Sequence, residues 1–466
     1  MEHTMREIET IETINPTTGE MLDHYEYMSN EEVEEAISKC HQAFLTWREV
    51  PVEERAERIK AIGKALLGAK EELAQLMTDE MGKTLIQSRQ EVDLCAAICK
   101  YTAEIGPNEL KTEERDMVNG SKGRVSYAPI GVVYGIQPWN YPSYQVVRYS
   151  IAGLMAGNAV LLKHASNVTG SGKLLERIYK NAGIPQGLFT TLVINHDQSD
   201  AVIKNKWVRG VTLTGSPGAG RKIGQTATAE LKKTVLELGS NDAYLVFDDA
   251  DIDLAVKACV KGRIYNNGET CIAAKRFIVT AKVYEEFREK FVKAMSEVKT
   301  GDPNEESTQL GPMARQDLRK ELHEQVVNSV ENGAKIACGG KIPDGNGFFY
   351  PATVLENVQP GQAAYEDELF GPVAALIKAK DNEDAMRIAN DSRFGLGGGI
   401  FSKDEAAAIE MAEKHFDTGM VFINTFGLAD PAMPFGGVKN SGYGREHGGF
   451  GLKEFVNIKA VLKRQQ

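Results

Sequence analysis

No apolar run in this 466-residue chain reaches the roughly 18 residues needed to cross a bilayer, so no membrane-spanning helix is expected. Cysteine is scarce. The six are Cys40, Cys95, Cys99, Cys259, Cys271 and Cys338, with no CxxC pair. Such spacing argues against a disulfide framework and predicts reduced thiols in a cytoplasmic protein. Cys95 and Cys99 read as buried core residues rather than half a metal site. The eight histidines are scattered singly, without HxxxH or HExxH, so no metal is expected. Positive charge is in deficit: 54 Lys and Arg stand against 65 Asp and Glu, for a net charge of -11. That balance disfavours nucleic acid or an anionic membrane as partner, and leaves an anionic small molecule open. The N-terminus, MEHTMREIETIETINP, is polar and acidic and does not resemble a signal peptide. There is no internal repeat and no low-complexity linker.

What is present is the composition of a soluble globular protein, 42% hydrophobic and 26% charged, long enough for two or three domains. Residues 29–106 read as helices, opened by a capping box of Ser29 and Glu32. Turn signals at Asn119-Gly120 and Lys122-Gly123 predict a hairpin over 115–130. From Gly131 onward strands and helices alternate. Strands are expected at GVVYGI, NAVLLK, LFTTLVI, VRGVTLTG and TVLEL, with helices over 142–156, 170–182 and 198–205. This β-α-β texture predicts an α/β protein with a parallel, doubly wound sheet. A second alternating region runs from about 243 to 438, through RFIVT, PATVL, AALIKA and MVFIN, and the tail EFVNIKAVLKR reads as a last strand.

Cys271, in NNGETCIAAKR, is the candidate nucleophile. A free cysteine is ordinarily a small buried hydrophobe, and an unassisted thiol is only slightly ionised at neutral pH, so the assignment depends on its company. Glu237 ends the TVLEL strand, where ligands gather in open α/β sheets, and could act as general base for the thiol or for a water. Asn140, between Pro138 and Pro142 in GIQPWNYP, could donate to a developing oxyanion; the plainer reading is a turn residue. VTLTGSPGAG places Gly215, Gly218 and Gly220 between a strand and a helix, a weak phosphate-loop signal on its own. MGKTL at 81–85 lacks the upstream glycine of a phosphate loop and is set aside.

Taken together and in order, the blocks NPTTGE (15–20), PWNYP (138–142), AGNAVLLKHAS (156–166), TLTGSPGAG (212–220), LELGS (236–240), GETC (268–271), EDELFGP (366–372), NTF (424–426) and PFGGVKNSGYGRE (434–446) resemble the aldehyde dehydrogenase superfamily over nearly the whole chain. The resemblance implies a Rossmann-type dinucleotide-binding domain at 1–112 and 131–239. It further implies an α/β catalytic domain at 240–440, and a small bridging sheet from 113–130 and 441–466 that serves oligomerisation. It implies Cys271 as nucleophile, Glu237 as the base that activates the deacylating water, and Asn140 as oxyanion donor. NADP or NAD would lie on Pro138, Trp139, Lys163, Ser166, Gly215, Ser216, Gly220, Leu238, Glu368 and Phe370. Many NAD-specific members carry glutamate at the Ser166 position, so Ser166, with Lys163 and His164 nearby, leans the pocket toward NADP. Ser240 departs from the second glycine usual in that block.

KHASN, CIAAKR and Arg148 are most similar to the succinate-semialdehyde dehydrogenases. The substrate residues implied are Tyr144, Arg148, Thr270, Ile272, Ala429 and Phe435, with Ala429 standing where those enzymes often have serine. Tyr144 and Arg148 share a helix face at i,i+4. Arg148 is read as a bidentate clamp on a substrate carboxylate, with a nearby structural carboxylate as the alternative partner. The expected partners are thus a small aldehyde carrying a carboxylate and further copies of the chain, as a homodimer or dimer of dimers. The alternatives are dehydrogenation of another small aldehyde, or a non-catalytic structural or binding protein on the same fold.

Overall fold

Residues 10–118 and 120–463 are described by the structure, a computed structural model. Asn119, the first residue of the expected hairpin turn, lies outside them, as do 1–9 and 464–466 at the ends of two expected segments.

Among the described residues, one sheet has six strands in the order Gly442–Tyr443, Lys233–Glu237, Val208–Thr214, Val132–Gln137, Ala159–His164 and Phe189–Thr191. All pairings are parallel except that of the short Gly442–Tyr443 strand. Its central strands are apolar on both faces: Val132, Val133, Tyr134, Val160, Leu161 and Leu162 are all fully buried. That is the pattern of a parallel sheet covered on both sides. The helices Asn30–Trp47, Val52–Gly68, Leu85–Glu109 and Tyr144–Met155 share its hydrophobic core. From Val132–Gln137 the chain proceeds to the neighbour on one side, Ala159–His164, and later to the other, Val208–Thr214. This reversal opens a crevice at the carboxyl ends of the strands, and residues 138–140 and 215–217 sit there.

A second sheet has seven strands in the order Lys335–Cys338, Thr353–Glu356, Val373–Ala379, Arg276–Thr280, Ala243–Val246, Gly398–Phe401 and Phe422–Ile423. Only the Lys335–Cys338 edge is antiparallel. The chain passes from the end of Lys233–Glu237 to the start of Ala243–Val246 through Leu238–Asp242. Cys271 precedes Arg276–Thr280, which pairs with Ala243–Val246. The carboxyl edge of the first sheet thereby meets the amino edge of the second, and the candidate residues of both collect at that junction.

The expected hairpin and tail strand do pair. Val456–Leu462 runs antiparallel to Lys122–Pro129, from Val456 opposite Pro129 to Leu462 opposite Gly123, and Glu113–Asp116 lies on the other edge. Ile458, Val461 and Leu462 on this strand are exposed. Three differences from the sequence reading stand out. LFTTLVI is a strand only over Phe189–Thr191, because its neighbour pairs with it only from Val160 to Leu162. Gly442–Tyr443 pairs with Leu236 and Glu237, so the segment from 441 begins on the six-stranded sheet before reaching the three-stranded one. The NPTTGE block forms the turn of an unexpected hairpin, Thr10–Ile14 with Met21–Glu26. Among the described residues no helix is long and apolar enough to cross a membrane.

Candidate active site

The chain reaches Cys271 through a constrained turn. After the helix Ile252–Ile264, Asn266, Asn267 and Gly268 take φ values of +54°, +58° and +75°. Left-handed backbone costs a non-glycine residue about 1–2 kcal/mol, least for asparagine. Here the asparagine amides lock the turn. Asn267 donates to the carbonyls of Gly82 (3.0 Å) and Pro312 (2.8 Å) and accepts from the Gly311 N–H. Asn266 donates to the carbonyls of Asn140 (2.9 Å) and Glu269 (3.1 Å). Glycine is required at 268 for a second reason: a Cβ there would lie 2.6 Å from the Gly371 carbonyl oxygen. The GETC block is thus a rigid delivery of a half-buried Cys271 into a cleft of about 670 Å³.

Asn140 lines the same cleft. Its carbonyl is held from below by Lys83, whose ammonium donates to it at 2.9 Å and to Glu91 at 2.5 Å. The other Glu91 oxygen accepts the N–H groups of Ser143 (2.8 Å) and Tyr144 (2.9 Å), capping the helix Tyr144–Met155. The Asn140 amide donates one N–H to the Glu269 carbonyl at 3.1 Å, which leaves its second N–H for an oxyanion. MGKTL, no phosphate loop, is therefore the support of the Asn140 turn. Lys83 and Glu91 were not singled out in sequence, because a lysine and a glutamate eight residues apart carry no signal until the fold brings them to residue 140.

Burial pushes the Cys271 thiol up to about 12, while the neighbouring Lys275 and Arg148 cations pull it down. Glu237 is buried, and neither carboxylate oxygen has a hydrogen-bond partner. Burial holds its carboxyl well above the usual range, opposed by Arg148 and reinforced by Glu446. A carboxylate raised in this way can take a proton near neutral pH.

Arg148 has a carboxylate of its own. Its guanidinium is ion-paired with buried Glu446, donates to Thr214 Oγ1 at 3.0 Å, and lies 4.7 Å from the Phe435 ring centroid and 5.2 Å from that of Tyr144. This is the structural alternative weighed for Arg148, and the guanidinium is not a free clamp. The Tyr144 hydroxyl is engaged with Arg148 (3.4 Å) and His447 (3.0 Å). Glu446 and His447 were missed in sequence, although the PFGGVKNSGYGRE block ends on Glu446.

Pro138, Trp139, Gly215, Ser216, Leu238, Glu368 and Phe370 all line the cleft with Cys271 and Asn140. Trp139 and Phe370 meet edge to face, with centroids 5.7 Å apart. Thr214, Pro217, Arg221, Arg393 and Phe394 join them without having been expected. Ser216 caps the 13-residue helix Pro217–Ala229 by accepting the Ala219 N–H at 3.2 Å, so a helix N-terminus faces the cleft beside Gly215, a setting that suits a phosphate. Lys163 is half-buried, with no hydrogen-bond or ion-pair partner among the described residues, and both polar atoms of the buried Asn167 side chain are unpartnered. The cleft, with its helix N-terminus and Glu368, suits the pyrophosphate and nicotinamide-ribose part of a dinucleotide, whereas Lys163 and exposed Ser166 are not among the residues that line it.

Two expectations on this side need correcting. Gly220 does not line the cleft; it lets its helix close on Leu238, whose side-chain carbons would sit 2.6 Å from a Cβ. His164 supplies no positive charge. It is buried against the Pro142 carbonyl (2.9 Å) and the Gln137 carbonyl (3.2 Å), and burial lowers its ring to about 4.

On the other side of Cys271, Ile272, Phe435 and Leu396 form a small apolar cluster, with Ala429, Leu428 and Met420 packed against it. Thr270 is tied by its hydroxyl to that of Tyr141 at 2.9 Å. Ala429 and Tyr141 also line a separate, larger cavity of about 1070 Å³.

The aldehyde dehydrogenase family model matches residues 3–461. The chain belongs to the aldehyde dehydrogenase family. This aldehyde dehydrogenase is 46% identical over 451 residues to a succinate semialdehyde dehydrogenase [NAD(P)+], Sad, of Escherichia coli, with 97% of each chain covered. It is 42% identical to a succinate-semialdehyde dehydrogenase [NADP(+)] of Deinococcus radiodurans, covering 96% of this chain and 94% of that one. Among solved structures, it superposes on the succinic semialdehyde dehydrogenase of Streptococcus pyogenes in complex with NADP+ with a TM-score of 0.95 and 35% identity, covering 98% of this chain and all of the other. The mixed α/β architecture of this aldehyde dehydrogenase is therefore that of its family.

Proposed function

We propose that this aldehyde dehydrogenase oxidises succinate semialdehyde, or a near homologue bearing a carboxylate, to the corresponding acid with NADP or NAD. The observation that carries the reading is the convergence of Cys271, Asn140 and the cofactor-lining residues on one cleft, in a chain 46% identical to a succinate semialdehyde dehydrogenase. The Cys271 thiolate adds to the aldehyde carbon. The resulting alkoxide is held by the Asn140 amide and the Cys271 N–H. A nicotinamide, when bound, supplies the hydride acceptor. Loss of hydride from the tetrahedral carbon leaves a thioester on Cys271. A water deprotonated by Glu237 attacks it and releases the acid. The six-stranded sheet serves as dinucleotide-binding domain, the seven-stranded sheet as catalytic domain, and the three-stranded sheet with its exposed Ile458, Val461 and Leu462 as the contact of a homo-oligomer in the cytoplasm.

Arg148 recognises the substrate carboxylate only if that carboxylate shares the guanidinium with Glu446. The substrate class is tested by comparing kcat/KM for succinate semialdehyde and for butanal, its uncharged analogue. The expected preference is about 10- to 100-fold for succinate semialdehyde, the worth of one charge-assisted hydrogen-bonded pair. Equal values would refute the acid-semialdehyde assignment and favour an uncharged aldehyde.

The cofactor side yields a second expectation. Ser166 is neutral and exposed, and half-buried Lys163 has no ion-pair partner among the described residues that would compete with a 2′-phosphate. Ser166→Glu should lower the NADP-to-NAD ratio of kcat/KM by about tenfold or more through like-charge repulsion. A hundredfold preference for NAD in the unaltered enzyme would refute the argument from Ser166.

A further inference from the structure

Lys275 stands four residues after the nucleophile and is fully buried. Its ammonium donates to the Cys271 carbonyl at 2.5 Å, Ser240 Oγ at 3.0 Å and the Thr270 carbonyl at 3.1 Å, and is ion-paired with Glu368 Oε1 at 3.2 Å. The Ser240 hydroxyl itself donates to the Cys271 carbonyl. Ser240, which departs from the family's glycine, and Lys275 therefore grip the same carbonyl from two directions. Burying an ammonium costs several kcal/mol. A neutral donor would satisfy these carbonyls without that cost. What a cation adds and a neutral donor cannot is an ion pair with Glu368 and a field at the neighbouring sulfur.

We propose that Lys275 is a positioning residue for Cys271, fixing the nucleophile's backbone through its carbonyl and stabilising the thiolate by charge, with Ser240 as its partner in the grip. The proposal rests on the reading of Cys271 as nucleophile. The charged and titratable groups that act most strongly on Cys271 include the Lys275 and Arg148 cations and the carboxyls of Glu368 and Asp242, with the hydroxyls of Tyr141 and Tyr144 also interacting with it. Of the two cations, Lys275 exerts the larger pull on the thiol.

The test is the pH dependence of Cys271 alkylation by iodoacetamide in cofactor-free enzyme, followed by mass spectrometry of the Cys271 peptide. Only the thiolate reacts, forming the S–C bond as iodide leaves. Lys275→Gln should move the profile upward by about one pH unit or more, so that alkylation below the midpoint slows about tenfold. Lys275→Arg should hold the profile close to the unaltered one. Lys275→Met, matched in volume and uncharged, gives the same reading as Lys275→Gln if the glutamine variant fails to fold. A profile unmoved by loss of the charge, or displaced equally by Lys275→Arg and Lys275→Gln, would overturn the proposal. Failure of the nucleophile reading looks different: it would appear as a Cys271→Ala enzyme that still turns over, whatever the alkylation profile.

Discussion

Cys271→Ala is expected to reduce aldehyde oxidation to background in a steady-state NAD(P)H assay. The reason is chemical rather than structural. Alanine keeps the backbone and the Cβ, so the turn at Asn266, Asn267 and Gly268, held by side-chain amides and by the close approach of Gly371, stays intact. The other cysteines offer no substitute. Cys40, Cys95, Cys99 and Cys259 are buried, and burial pushes each thiol up. Cys338 lies on an edge strand of the seven-stranded sheet, outside the residues that line the cleft. Near-normal turnover by Cys271→Ala would remove covalent catalysis from the mechanism.

Glu237→Gln is expected to separate the two halves of the reaction. Glutamine keeps the shape at the end of the strand Lys233–Glu237 but cannot accept a proton from water. Thioester formation should continue and its hydrolysis should slow by about 10²–10⁴, the usual worth of a general base. A rapid-mixing experiment should then show a burst of NAD(P)H close to one equivalent of active sites, followed by a slow steady state. The pH dependence has a definite sign. Burial holds the Glu237 carboxyl well above its ordinary value, and only its ionised form acts as base, so deacylation should accelerate as pH rises through that elevated pKa. The glutamine variant should lose this acceleration. A burst abolished together with turnover would move Glu237 to the first half of the reaction, as base for the thiol.

The parts legible in the sequence were those encoded locally. Alternating apolar runs from Val132 onward announce the parallel sheet. Glu237 ends a strand and Asn140 sits in a proline-bracketed turn, but Cys271 only follows a helical pattern, and the three roles came from the order of the motif blocks rather than from local signals. The charge pairs that hold them were not legible, since each spans the fold. Lys83 supports residue 140, and Arg148 meets Glu446 from the far end of the chain. Adjacency also misled. Lys163 and His164 are neighbours in sequence, but successive residues of a strand face opposite sides. His164 turns inward to Pro142 and Gln137, and Lys163 points to the opposite face of the sheet, half-buried. Gly220 looked like part of a phosphate loop by position, whereas its helix needs a glycine there to pack on Leu238.

The central claim is a covalent acyl intermediate on Cys271 released by Glu237. The most direct measurement is acid quenching of the Glu237→Gln enzyme during its burst with succinate semialdehyde and NADP, followed by peptide mass spectrometry. The account predicts a succinyl thioester on the peptide containing Cys271, at close to one per active site, discharged by hydroxylamine. Unmodified Cys271 in a sample that has already released its burst of NADPH would contradict it.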